Sequence, residues 1–249
     1  MKLKNLLPRI PRPVRACFCV ILSIVLLLSY YVMLGCPVLT MKQHFRRAER
    51  AHMVGPSKIV DVLDESEYAE FVRMYVGESA HGVSFFGKYY NHHPYDDPFD
   101  EAQYYFYHTE KTGDMTLCVA PNVWGHNWAF FGFEQGLPVY LFAENPNAAQ
   151  AELEMTVKGS SARNAGEQFD ARFSANAERT EESFFRFYLK ADQAASLEAL
   201  YTLSSAISGT AIHGIWGKED LTEISAIIRL YNADGQLITE ESKTLFTAQ

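Results

Sequence analysis

Residues 151–158 read AELEMTVK, an unbroken alternation of apolar and polar side chains. Successive residues of an extended chain point to opposite faces, so this pattern buries one face of a strand and wets the other. Period two continues beyond this stretch. Ile224, Ala226, Ile228 and Leu230 alternate with their neighbours in the same way. Shorter runs at 58–63, 83–90, 102–108, 115–120, 139–144, 169–175, 183–190 and 236–246 are bounded by Gly, Asn, Pro and Asp, the residues that turn a chain. Asn232-Ala-Asp-Gly235 joins two of these runs and predicts a hairpin, since Asp-Gly accepts positive φ.

About nine strands and few helices point to a mainly β body. The expected form is an antiparallel β-sandwich or a partly closed β-barrel. A short amphipathic helix is expected at 65–76. Asp64 and Glu67 have capping-box spacing, and Tyr68, Phe71, Val72, Tyr75 and Val76 follow the i, i+3, i+4, i+7, i+8 rule. Gly77 would end it. Residues 197–207 fit a helix or a strand equally well.

The other end of the chain follows a different rule. Residues 16–35 read ACFCVILSIVLLLSYYVMLG, and no charge appears before Lys42. Twenty helical residues cover about 30 Å, the thickness of a bilayer's hydrocarbon layer, whereas a cleaved export signal has a shorter apolar core. The expected organisation is a basic cytoplasmic tail (1–15), a transmembrane signal-anchor (16–41), a juxtamembrane linker (42–58) and an extracytoplasmic β-rich domain (59–249). Tail-inside orientation rests on a tail that is purely basic; four further cations, Lys42, Arg46, Arg47 and Arg50, follow the span. The expected location is the plasma membrane, with the body outside. Met33-Leu34-Gly35-Cys36 resembles a lipobox, which would instead make Cys36 a lipidation site.

The chain carries 48% hydrophobic and 14% aromatic residues, which marks a folded protein rather than a disordered one. Its net charge is −8, unevenly spread. Five of the 22 Lys and Arg precede the apolar run, leaving 17 against 30 acids, about −13 for the remainder. A body so acidic disfavours a phosphate backbone, so nucleic acid is not an expected partner. Of the four cysteines only Cys118 lies in the body, which therefore has no internal disulfide. That fits a bacterial surface protein that folds by core burial alone.

Candidate sites are few. NHHPYDDPFDE, residues 91–101, gathers His92, His93, Asp96, Asp97 and Asp100 in one proline-broken segment. Carboxylates suit Ca²⁺ and imidazoles Zn²⁺, yet the spacing matches neither an HExxH helix nor a calcium loop. A second cluster is aromatic. Tyr105 and Tyr107, with Trp124, His126 and Trp128, could stack on the C–H faces of sugars and hydrogen-bond through their polar edges. Thr116-Leu117-Cys118 faintly resembles the T-L-x-T-C strand of the sortase transpeptidases, without its two intervening residues. That resemblance would make Cys118 a nucleophile, His81 its base and Arg163 or Arg172 an oxyanion partner.

These features lead to the expectation of a single-pass, membrane-anchored β-domain that binds an envelope glycan or protein and needs no cofactor. The alternatives are a metal- or cysteine-dependent surface enzyme and an accessory subunit of a membrane assembly.

Overall fold

The computed structural model describes residues 11–33, 40–64, 72–90, 102–120, 136–160, 168–191, 198–200, 202–203 and 221–247. They form two units, residues 1–47 and 48–249. The protein is mainly β, with antiparallel sheets and one N-terminal apolar helix.

Helix α1 (Arg12–Met33) carries the apolar run. Its large apolar side chains from Val14 to Tyr31 are between 45% and 67% exposed, and the helix is long and apolar enough to cross a membrane. Ser29 hydrogen-bonds back to the Val25 carbonyl at 2.8 Å, so its hydroxyl is satisfied within its own helix.

Helix α2 (Met41–Ala51) lies in the stretch expected as a linker. Thr40 and Gln43 form a reciprocal capping box. The Gln43 N–H donates to Thr40 Oγ1 at 3.3 Å, and the Thr40 N–H donates to Gln43 Oε1 at 2.7 Å. The far end closes in a Schellman pattern. Val54 N–H reaches the Glu49 carbonyl, Met53 N–H reaches Arg50, and Met53 takes φ 57° where glycine is usual.

Eleven strands follow among the described residues. Strands β1 (Lys58–Asp64), β2 (Val72–Glu78), β3 (Gly82–Tyr90) and β4 (Ala102–Glu110) form one sheet in that order. Strands β5 (Met115–Val119), β6 (Leu137–Ala143) and β9 (Phe184–Leu189) form a second. The third runs in the order β11-β10-β7-β8, with β7 at Gln150–Ser160, β8 at Gln168–Glu178, β10 at Leu221–Tyr231 and β11 at Leu237–Thr247. AELEMTVK is the middle of β7. Ala151, Leu153, Met155 and Val157 are buried, and the residues between them are not.

The helix expected at 65–76 is corrected over its second half. Val72–Glu78 is a strand, paired with β1 through Met74↔Leu63 and with β3 through Val76↔Phe85. Its first half lies outside the described residues. A short amphipathic helix among the described residues is α2.

The β5-β6-β9 sheet has an apolar surface on both faces, and its alternate residues divide between two cores. Met115, Val119, Leu137, Val139, Leu141, Phe185, Phe187 and Leu189 share one core with β7, β8 and β10. Cys118, Tyr140, Phe142 and Phe184 share the other with Val60, Leu63, Met74, Val76, Val83 and Phe85 of the first sheet. Every residue of β6 is therefore buried. A strand covered on both sides reads as a continuous apolar run, as LPVYLFA does. Between 197 and 207 the described residues, 198–200 and 202–203, are helical, and Leu200 and Leu203 enter the first core. The hairpin at 232–235 forms as expected. Asn232 Oδ1 accepts from the N–H groups of Asp234 and Gln236, and Gly235 takes φ 77°.

Candidate functional site

Two clusters of described polar groups lie one on each face of the β1–β4 sheet. The first lies between that sheet and β5-β6-β9. A bulge in β1 shifts the register between Ile59 and Asp61. The extra residue lets Val60 enter the core while Asp61 pairs with Val76 and points inward beside it. There Asp61 Oδ2 accepts from the Tyr140 hydroxyl at 2.8 Å and from Arg186 Nη1 at 2.7 Å. Tyr140 comes from β6 and Arg186 from β9, where the two are register partners. Tyr140 is fully buried and meets Phe85 edge-on at 5.7 Å. Burial, and then the Asp61 carboxylate, push its phenol well above the ordinary range, so it is a permanent donor. The Arg186 guanidinium also sits 5.5 Å from the Tyr188 ring centre.

Tyr105 and Tyr107, two of the aromatics singled out in the sequence, line the same core from β4. Both are half-buried against it. Tyr107 lies 6.2 Å from Phe85, and burial raises its phenol pKa. Cys118 projects into this core from β5. It is buried, and loss of solvent pushes its thiol up to about 12.

The second cluster lies on the opposite face of the β1–β4 sheet. Ser84 of β3 and His108 of β4 are directly paired, with Ser84 Oγ 2.9 Å from His108 Nδ1. Ser84 is fully buried, while His108 is part-exposed. Burial pulls the imidazole below its ordinary 6.5, against the Glu110 and Glu49 carboxylates and with the help of His52. Glu49 is itself buried, its Oε1 accepting the Ser57 N–H at 2.8 Å. His52 stacks on Phe106 at 4.6 Å. The arrangement pairs a Ser and a His, but the hydroxyl has no access to solvent.

Of the residues named by the sortase resemblance, the described ones differ in their surroundings. His81 sits in the exposed turn between β2 and β3, Arg172 is exposed on β8, and Cys118 is enclosed. Arg163, the aromatic candidates Trp124, His126 and Trp128, the metal candidates His92, His93, Asp96, Asp97 and Asp100, and Cys36 lie outside the described residues. Among the described residues no group of three or more His, Cys, Asp and Glu has metal-binding geometry.

Sequence reasoning missed Asp61, Tyr140, Arg186, Ser84 and the pairing of Ser84 with His108. One signal was available. Arg186 is the lone charge in FFRFYL, and a cation in so apolar a strand calls for a buried partner. The Ser84–His108 contact depends on cross-strand register, which the sequence does not display. No protein-family model, curated protein or solved structure matches this chain.

Proposed function

We propose that this chain is a single-pass membrane protein whose body, a layered β-sandwich, stands outside the cell and binds an envelope glycan or protein without catalysis. One observation carries the reading. Helix α1 is apolar all round, and its described large apolar side chains are all exposed. In water that surface would be costly; in lipid it is matched. A bilayer is thus the partner of residues 16–41, with the basic tail inside. The state of the described nucleophiles supports a non-catalytic role. The Cys118 thiol is buried with its pKa near 12, and the Ser84 hydroxyl is enclosed. Tyr105 and Tyr107 are partly committed to the core, so ligand contact falls mainly to Trp124, His126 and Trp128.

Two experiments test this. Protease added to intact cells should digest the body; a body cut only after lysis reverses the orientation. Glycan pull-down with Trp124→Ala and Trp128→Ala should lose binding, and retention equal to the parent removes the aromatic site.

A further inference from the structure

Residues 48–57 run from the last turn of α2 to the start of β1 and meet the outer face of the β1–β4 sheet. The register lays four apolar side chains across that face, Val62, Tyr75, Phe86 and Phe106, and Ser84 pairs with His108 in the next row. His52 sets its ring on Phe106, with centres 4.6 Å apart and planes 28° from parallel. The N–H groups of His52, Met53 and Val54 donate to the carbonyls of Ala48, Arg50 and Glu49, and the Ser57 N–H donates to the Glu49 carboxylate. All of these bonds close within the stretch itself. Residues 48–57 are thus a strap tied to itself, with the His52 ring laid on the sheet. A lone helical turn lifted from its support is not stable in water, so a released strap would fray.

His108 stands beside that contact, two residues along β4 and on the same face as Phe106. Its ring is closely confined. A Cβ on Gly82 would come within 2.5 Å of Cε1 and 2.7 Å of Nε2, so this edge of the imidazole lies against the Gly82 backbone. Nδ1 is 2.9 Å from the Oγ of Ser84, which is fully buried. Neutral His108 needs only one donor in that contact, whichever tautomer is present. In the imidazolium both nitrogens donate. Nδ1 can then no longer accept from the buried hydroxyl, and Nε2 must donate from the edge that Gly82 crowds.

The groups that face His108 are Ser84 from β3, Glu110 from its own strand, and Glu49 and His52 from the strap. Burial disfavours the cation, the Glu110 and Glu49 carboxylates favour it, and His52 opposes it; burial prevails. A charged ring in this seat calls for water. The sheet side is fixed by the β3–β4 ladder, whereas the strap holds its own hydrogen bonds and can leave without breaking that ladder.

We infer that residues 48–57 form an acid-released strap: charging His108 lifts His52 from Phe106 and opens the β4 end of the apolar row, while the sheet stays folded. The device is a regulated cover over an aromatic surface.

The test is hydrogen exchange of the full-length chain in nanodiscs at pH 7.5, 6.5 and 5.5, with each rate corrected for the intrinsic effect of pH. One proton is worth at most about tenfold per pH unit, so peptides within 51–57 should exchange about threefold to tenfold faster at pH 5.5 than at pH 7.5. Peptides of β3 and β4 should keep their rates. His108→Gln retains a hydrogen-bonding side chain that cannot be charged, and should hold the strap closed at every pH. His52→Phe keeps the ring contact and leaves the sensor in place, so the acid response should persist; His52→Ala should release 51–57 already at pH 7.5. Equal corrected rates in the parent at pH 7.5 and 5.5 overturn the inference, whether or not the variants fold. An acid response that survives in His108→Gln, or disappears in His52→Phe, overturns His108 as the sensor. A rise shared equally by β3 and β4 is unfolding of the body and overturns the strap.

Discussion

Asp61→Ala is the most informative perturbation of the body, because one carboxylate oxygen serves two donors from two strands of another sheet. Its loss orphans the buried Tyr140 hydroxyl, at about 1–3 kcal/mol. Arg186 is 34% exposed and can turn to water, so its share is held to about 1 kcal/mol or less. The total is about 1–4 kcal/mol. Tyr140→Phe removes the donor instead and leaves Asp61 with Arg186, at about 1–2 kcal/mol. The double variant has no orphaned hydroxyl, so it should lose about 1–3 kcal/mol, less than the sum of the single losses. Urea melts of the full chain in detergent, followed by tryptophan fluorescence, measure all four corners of the cycle. With a slope of about 2 kcal/mol per molar urea, Asp61→Ala should lower the midpoint by about 0.5–2 M. Losses that add within about 0.5 kcal/mol would refute the argument, because the carboxylate would then not be what satisfies Tyr140.

Acid should destabilise the body through His108. Its pKa in the folded state lies below 6.5, so its contribution is complete above 6.5 and is lost as pH falls from there through the folded value. Melting temperatures between pH 7.5 and 5 should drop more steeply for the parent than for His108→Gln, and parallel profiles would remove His108 from the account. Cys118 with a pKa of about 12 should resist iodoacetamide at pH 8 until denaturant is added; a variant lacking Cys17, Cys19 and Cys36 makes this readable by mass. Met53→Gly should stabilise by up to about 1 kcal/mol, since the side chain is 93% exposed and the backbone is left-handed. No gain in melting temperature would mean that Met53 makes a compensating contact.

How far the sequence disclosed the fold depended on whether local pattern and tertiary environment agreed. In β7 they agreed, because one face meets a core and the other meets water. In β2 they conflicted. Tyr68, Phe71, Val72, Tyr75 and Val76 satisfy a helical period, while Val72, Met74 and Val76 satisfy a strand period. Pairing on both sides by β1 and β3 decided the outcome. Helix α2 escaped notice for the opposite reason. MKQHFRRAERA has few apolar residues to set a period, although Thr40-Met-Lys-Gln43 is a capping box in plain view. The two candidate clusters were less legible still. The bulge that aims Asp61 has no sequence signature, and the Ser84–His108 pairing needs the β3–β4 register.

The central sheet shows how much an apolar run can say. LPVYLFA, MTLCV and FFRFYL lack the polar half of the alternation seen in AELEMTVK, and the missing half is the mark of a second core. Two cores on opposite faces of three strands also explain why the polar exceptions there matter. Tyr140 and Arg186 interrupt the apolar face toward β1–β4, and each is answered by the same inward-pointing Asp61. An apolar pair at these positions could be as stable. What the polar set adds is a fixed register: a one-residue slip of β1 would carry Asp61 to the outer face and leave the buried Tyr140 hydroxyl facing hydrocarbon without its acceptor. Bulge, carboxylate and two donors thus work as one locating device, pinning the edge strand β1, the first strand after α2, to the centre of the body.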